Sequence, residues 1–342
     1  MDMWMAAALA ATALAAFLVS ALSGKYLIPW LHRLKFGQTI REEGPKWHQK
    51  KQGTPTMGGM LFLAGMLAAL LIAVPVCEWV LASRHPSLRL FGDNASITRF
   101  AAGVVLVLGC GAIGFADDYI KVVKKRNLGL TGTQKLLLQI LVAAAYITSL
   151  YLCGDHYVNI PFAGMVDFGF WFFPFGIFIV VGATNAVNLT DGIDGLCGSV
   201  SFLALLPFVA LAGYYGLAGQ GLIAAAMAGG ILGFLLWNLH PARVFMGDLG
   251  SLALGGVLCA VAFGVRRPLL LIPVGIVYIV ETLSVMLQVS YFKLTHGKRL
   301  FKMSPIHHHF EMCGWSENTI VTVFSIVTLL GCCGAILLEL FA

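Results

Sequence analysis

Five of the nine aspartates in this chain, Asp117, Asp118, Asp191, Asp194 and Asp248, stand where a long hydrophobic run stops. An ionised carboxylate inside hydrocarbon costs at least ~2.5–3.5 kcal/mol. A sequence that is 59% hydrophobic and 11% charged therefore keeps such groups for a use. Acids gathered at one membrane face suit a hard divalent cation or a phosphate. Asp117 and Asp118 close one apolar run in GFADDY and are followed by Lys121, Lys124, Lys125 and Arg126. Neighbouring helical residues point about 100° apart, so one carboxylate can face a metal or substrate while a lysine holds the other. A solvated, charge-balanced helix end is the alternative.

The segment TNAVNLTDGIDG spaces Asn185, Asn188 and Asp191 three residues apart, on one face if helical, while Gly192 and Gly195 free the backbone to turn toward a ligand. It reads as a polar lining for an anion or a sugar nucleotide, or as a capped re-entrant turn that satisfies its own backbone. NLHPARVFMGDLGS sets Asp248 just before an apolar run, the ordinary place of a helix cap. Beside four other carboxylates it is also a candidate magnesium ligand, because that ion needs only one or two carboxylates and completes its shell with water and phosphate oxygens. Phe245 could stack on a base or serve as an interfacial anchor. SPIHHHFEMCGWSE carries His307, His308 and His309, imidazoles able to donate to phosphate oxygens, with Lys293, Lys298, Arg299 and Lys302 adding positive potential. In HQKKQGTPTMGG, Lys51 and Thr56 can reach toward a phosphate or base, but the glycines lack the Gly-Lys-Ser/Thr of a Walker loop, so an ATP site is not indicated.

The elements that position these residues are membrane spans. With 342 residues and a mean hydropathy of +0.86, the chain repeats apolar stretches of about twenty residues, enough to cross a ~30 Å hydrocarbon core. Ten spans are predicted at roughly 3–24, 57–76, 99–117, 135–153, 171–189, 196–216, 219–239, 250–265, 269–292 and 318–341. The first lacks a basic start and is too long for a signal core, so it reads as a retained span. The result is an all-α integral membrane bundle, one polytopic domain over 1–342, with functional loops at about 25–56, 117–134, 190–195, 240–249 and 293–317. With loop 25–56 inside, the loops on that side hold seventeen Lys and Arg against five on the other. Positive charge is retained in the cytoplasm, so both termini face outward and all five aspartates face inward. A short outer β-hairpin is expected between Asp155 and Phe170. Pro273 and Gly275 could bend the ninth span, with Glu281 a polar interruption beside a groove for a lipid chain. The eight cysteines show no zinc or disulfide spacing and read as small packing residues.

GTPTMGG, ADDY, NAVNLTDGIDGL, PARVFMGD and SPIHHHFE, in this order on the inner loops, resemble the polyprenyl-phosphate N-acetylhexosamine-1-phosphate transferases over nearly the whole chain. SPIHHHFE followed by GWSE favours the muramoyl-pentapeptide branch over the N-acetylglucosamine relatives, which stay the alternative. The resemblance implies transfer of phospho-MurNAc-pentapeptide from UDP-MurNAc-pentapeptide to undecaprenyl phosphate, with Mg2+ and release of UMP, at the cytoplasmic face of the bacterial inner membrane. It further implies a homodimer among membrane lipid and no nucleic-acid partner. Carried onto this sequence, Asp117, Asp118 and Asp248 form the acidic core, with Asp248 the leading magnesium ligand. Asn188, Asp191, Asp194 and Gly195 line the nucleotide and diphosphate, with Lys121, Lys124, Lys125 and Lys135 as the cationic wall. Lys51, Thr56, Phe245 and Gln288 lie near the uridine, and His307, His308 and His309 serve the sugar-phosphate side. Cys197 and the VTVFSIV of the last span depart from the family pattern, away from this chemistry. The competing class is a cation transporter, which would set its acids at mid-membrane on broken helices.

Overall fold

The computed structural model describes residues 3–34, 51, 53–84, 90–123 and 129–341. Ten helices among them are long and apolar enough to cross a membrane. In chain order these are α1 (Met3–Arg33), α2 (Gly59–Arg84), α3 (Asn94–Val123), α4 (Gly132–Leu152), α5 (Phe172–Thr190), α6 (Leu196–Tyr214), α7 (Ala218–Asn238) and α8 (Gly247–Gly264). After the short α9 (Leu271–Val274) come α10 (Ile276–Leu294), the short α11 (Ile306–Met312) and α12 (Glu317–Phe341). Lys124 and Lys125, expected to help form the cationic wall, and the adjacent Arg126 lie outside the described residues.

Helices that are apolar on every side can be buried on every side. That is the state of α7 and α8, whose spans are each 89% buried, against 28% for α1, α4 and α10. The outer helices turn Leu18, Leu71, Leu141, Leu287 and Leu330 away from the bundle, as a surface facing lipid chains requires. Small residues set the close approaches. A Cβ on Gly229 of α7 would stand 1.9 Å from the Ala13 carbonyl oxygen of α1, and one on Gly114 of α3 would stand 2.1 Å from the Asp248 carbonyl oxygen of α8. The second contact brings two carboxylate-bearing helices together backbone to backbone.

Several boundaries differ from the sequence reading, and α1 and α2 run on to Arg33 and Arg84, past the expected ends at 24 and 76. α3 starts five residues earlier and runs past the apolar stretch to Val123, carried through its polar end by the i,i+4 pair of Asp117 Oδ2 and Lys121 Nζ at 2.6 Å. α8 begins at Gly247, so Asp248 sits in its first turn rather than ahead of it. The ninth span is broken at Gly275 into α9 and α10, the bend expected from Pro273 and Gly275. The hairpin between Asp155 and Phe170 is present: β1 (Tyr157–Ile160) pairs antiparallel with β2 (Gly164–Asp167), Tyr157 opposite Asp167. It lies one length of α4 away from Lys135 and the carboxylates. At that end Asp155 is held between Arg99 and Arg266, and Arg267 reaches Glu339 at 2.6 Å. Five of the eight cysteines are buried, as packing residues should be, whereas Cys313 and Cys333 are exposed.

Candidate functional site

Asp117 and Asp118 project from the last turns of α3, and both are 3% exposed. Backbone donors fix each of them. Asp117 Oδ1 accepts from the Leu130 N–H at 2.8 Å and Asp118 Oδ2 from the Leu249 N–H at 3.1 Å. Asp248 comes from the first turn of α8, and one oxygen from each of the three aspartates lies within 4.8 Å of the others. The 100° between neighbouring helical positions does not keep the pair apart, because a third carboxylate enters from another helix.

Two ammonium groups stand among these oxygens. Lys121 Nζ is 2.6 Å from Asp117 Oδ2, 2.9 Å from Asp248 Oδ2 and 3.8 Å from Asp118 Oδ1. Lys135 Nζ lies 3.0 Å from Asp248 Oδ2 and 3.4 Å from Asn188 Oδ1. Asn188 Nδ2 donates to Asp248 Oδ1 at 2.9 Å and to Ser251 Oγ at 2.8 Å. Asn185, one turn earlier, is spent on Gln139 of α4, to whose Oε1 it donates at 2.8 Å. The next polar position on this face is Asp191, just past α5. Burial pushes its carboxyl up to about 8, with the negative charges of Asp248, Asp118 and Asp194 adding to the effect. Thr56 is buried beside Gly247, where a Cβ would come within 2.7 Å of Thr56 Oγ1 and 2.5 Å of Asp118 Oδ2. The left-handed backbone at Gly247, φ +75°, lets α8 start against the carboxylates.

A second ionic group forms at the same end. Lys51 Nζ contacts Asp194 Oδ1 at 2.7 Å and Glu317 Oε1 at 2.6 Å. Asp194 Oδ2 takes the Ala242 N–H and lies 3.0 Å from His240 Nδ1, while the Asp194 N–H donates to Glu317 Oε2 at 3.0 Å. Gly195, at φ +79°, donates its N–H to Asn238 Oδ1 at 3.1 Å. Four separate segments are thus tied by one ionic knot, buried at Asp194 and open at His240, in which Lys51 and Asp194 face each other. Glu317 and His240 were not singled out in the sequence, although Glu317 ends the GWSE stretch. The Phe245 N–H donates to the Pro55 carbonyl and its own carbonyl accepts from the Gly58 N–H, both at 2.8 Å, with the ring half-buried. Gln288 Oε1 accepts from the Leu300 and Phe301 N–H groups at 3.1 and 2.8 Å, fixing the loop after α10.

The histidines have separate partners. His307 is fully buried, with Nδ1 3.0 Å from Glu281 Oε2. Its Nε2 abuts Gly192 so closely that a Cβ there would lie 2.1 Å away. His308 Nδ1 is 2.6 Å from Glu311 Oε2, and His309 Nδ1 accepts from the Lys302 N–H at 3.1 Å.

The molecule therefore gathers hard oxygen donors and ammonium groups at one end of a membrane bundle, an arrangement able to hold a cation and a polyanion. Residues 100–265 match the family described as Glycosyl transferase family 4. A protein of Clostridium perfringens strain 13 is 46% identical over 318 residues, covering 92% of this chain and 94% of the relative. One of Halalkalibacterium halodurans is 45% identical over 336 residues, 96% and 97% of the two chains, and one of Heliobacterium modesticaldum is 47% identical over 334 residues, 94% and 95%. All three carry the name phospho-N-acetylmuramoyl-pentapeptide-transferase. Because that identity extends over more than nine-tenths of both chains, the chain belongs to the phospho-N-acetylmuramoyl-pentapeptide-transferase family.

Proposed function

We propose that this protein transfers phospho-MurNAc-pentapeptide from UDP-MurNAc-pentapeptide to undecaprenyl phosphate, giving undecaprenyl-diphospho-MurNAc-pentapeptide (lipid I) and UMP for peptidoglycan synthesis. The observation that carries this reading is the convergence of Asp117, Asp118 and Asp248 with Lys121 and Lys135 at one end of the bundle. Both substrates are anions, and a site at the end of its spans meets a lipid head group at its own depth. A cation path would instead call for acids at mid-membrane. The excess of Lys and Arg on the loops of this end supports a cytoplasmic site in a bacterial inner membrane, with both termini and the hairpin outside. A homodimer is the expected assembly.

The donor set fits magnesium, since it consists of three carboxylates without sulfur or imidazole. Asp248, with Asp117 and Asp118, would hold the ion, which when bound spreads the negative charge of the diphosphate. Lys121 and Lys135 attract the donor diphosphate and the lipid phosphate and offset their mutual repulsion. Asp117 takes the proton of the lipid phosphate, whose oxygen then attacks the β-phosphorus of the donor and expels UMP. Trapping a phosphorylated aspartate on donor alone would refute this direct route in favour of a covalent one. Asn188, Asp191 and Gly195 line the nucleotide and diphosphate, with Thr56 and Phe245 on the uridine side. Lys51, Asp194 and Gln288 act there through the segments they tie together, and His307, His308 and His309 shape the sugar-phosphate side from beneath.

The test is UMP release from UDP-MurNAc-pentapeptide with polyprenyl phosphate and magnesium. Asp117→Asn and Asp248→Asn, each still folded, should lower it by about two orders of magnitude or more. Near-normal turnover in both overturns the assignment, and equal turnover with UDP-GlcNAc moves it to the N-acetylglucosamine relatives.

A further inference from the structure

Every carboxylate in the acidic core is anchored by something other than Lys121. Asp117 keeps the Leu130 N–H, Asp118 the Leu249 N–H, and Asp248 both Asn188 Nδ2 and Lys135 Nζ. Among the described residues, Lys121 alone touches all three aspartates. Its side chain is 34% exposed, twice the 16% of Lys135. It stands two residues before the end of α3, on a flexible four-carbon stem. Its ammonium and a divalent cation compete for one set of oxygens, because charges of the same sign cannot share them at contact range.

We propose that Lys121 is the resident counter-ion of the metal-free core and exchanges with the divalent cation. The ammonium neutralises the carboxylates while the site is empty of metal and swings toward solvent when the cation enters. The Leu130 and Leu249 N–H groups and the Asn188 amide on Asp248 Oδ1 keep the oxygens in place through the exchange, so the metal meets a preformed set of ligands. The displaced ammonium stays tethered at the rim of the core, within reach of an incoming phosphate. Metal affinity is thereby set low enough for the cation to bind well only when a polyanionic substrate brings further negative charge. This inference rests on the reading of the core as a magnesium site.

The experiment uses the full chain in detergent micelles, without nucleotide, and titrates Mn2+ as the probe by electron paramagnetic resonance. Lys121→Gln should bind Mn2+ about tenfold more tightly than the unmodified protein, and Lys121→Arg about equally. Equal or weaker binding by a folded Lys121→Gln overturns the exchange. Asp248→Asn separates the two layers of inference: if it binds Mn2+ like the unmodified protein, the magnesium reading fails. Should Lys121→Gln not fold, the unmodified chain answers by itself. Acetylation of Lys121, read by peptide mass spectrometry, should speed up about threefold or more when Mg2+ is added, because the amine leaves its carboxylates. An unchanged or slower rate overturns the proposal.

Discussion

Gly114→Ala is the sharpest test of how the fold builds the site, because the substitution adds one methyl group where α3 meets the backbone of α8. Its Cβ would stand 2.1 Å from the Asp248 carbonyl oxygen, 2.3 Å from its carbonyl carbon and 2.4 Å from the Leu249 nitrogen. An ordinary contact begins near 3.4 Å, so the helices must part by about 1.3 Å at this level. None of the three atoms belongs to a side chain that could rotate away. The Asp118 bond to the Leu249 N–H, 3.1 Å long, would stretch beyond hydrogen-bonding range. Asp117 and Asp118 ride on one helix and Asp248 on the other, so the acidic core opens with it. Overpacking costs roughly 1–3 kcal/mol, offset by about 1 kcal/mol of helix propensity gained from glycine to alanine. The net loss of stability is therefore at most about 2 kcal/mol. A displacement of this size at reacting groups costs about 100-fold in rate. Activity should thus collapse while the melting temperature moves only a few degrees. Gly111→Ala, one turn earlier on the same helix, is the control: its Cβ would meet nothing closer than 3.4 Å, and both readouts should stay near normal. UMP release and thermal unfolding in the same detergent decide the matter. If Gly114→Ala keeps activity within about threefold of normal, or Gly111→Ala loses as much, the reasoning from the helix contact is wrong.

Three further outcomes follow from the buried charges. Asp191 holds its proton up to about pH 8, so the folded chain binds a proton there that the unfolded chain releases near pH 4. Its contribution is present below pH 4 and is lost as the pH rises toward 8. Melting curves without metal should show Asp191→Asn gaining on the unmodified protein across that window and no further above it; a constant difference would refute the shift. Lys51→Met strips Asp194 and Glu317 of their shared cation and should cost about 3–5 kcal/mol, with Lys51→Met/Glu317→Gln costing clearly less than Lys51→Met alone; the double-mutant cycle by denaturant unfolding checks this. Gly192→Ala should drive His307 off its seat against Glu281 and lower UMP release about tenfold or more; normal turnover would show that His307 has room to yield.

Much of this architecture was legible in the sequence because hydrocarbon thickness imposes one period on every span. Asp117, Asp118, Asn188, Asp191 and Asp248 could be picked out as expensive polar groups at the ends of those spans, and they do come together. The partners of each charge were not legible. Lys51 meets Asp194 and Glu317 across 143 and 266 residues, a distance over which sequence carries no pairing signal. Glu281, read as a polar interruption of the ninth span, is the fully buried neighbour of His307, a pairing the sequence did not signal. Three consecutive histidines look equivalent as a string, yet the short α11 turns each toward a different group, because helical neighbours diverge by about 100°.

Two groups of similar composition stand at the same end of the bundle, and what separates a knot from a site is how its oxygens are held. Around Asp194, both carboxylate oxygens and the backbone N–H are spent, and its side chain is only 2% exposed. Two carboxylates, a lysine and a histidine there close on one another and link four segments; their oxygens and the exposed His240 could also group around a cation, but only by displacing Lys51. In the acidic core, three carboxylates face two ammonium groups, which leaves one negative charge uncompensated. Asp248 keeps 19% of its side chain open to the outside, and Lys121 can leave without unfastening any backbone. Both groups carry one more carboxylate than ammonium, so a mobile counter-ion on a rigid oxygen frame is the condition that lets the acidic core take an incoming cation. The Lys51 knot holds the loops, and the Asp117, Asp118 and Asp248 frame is left to do chemistry.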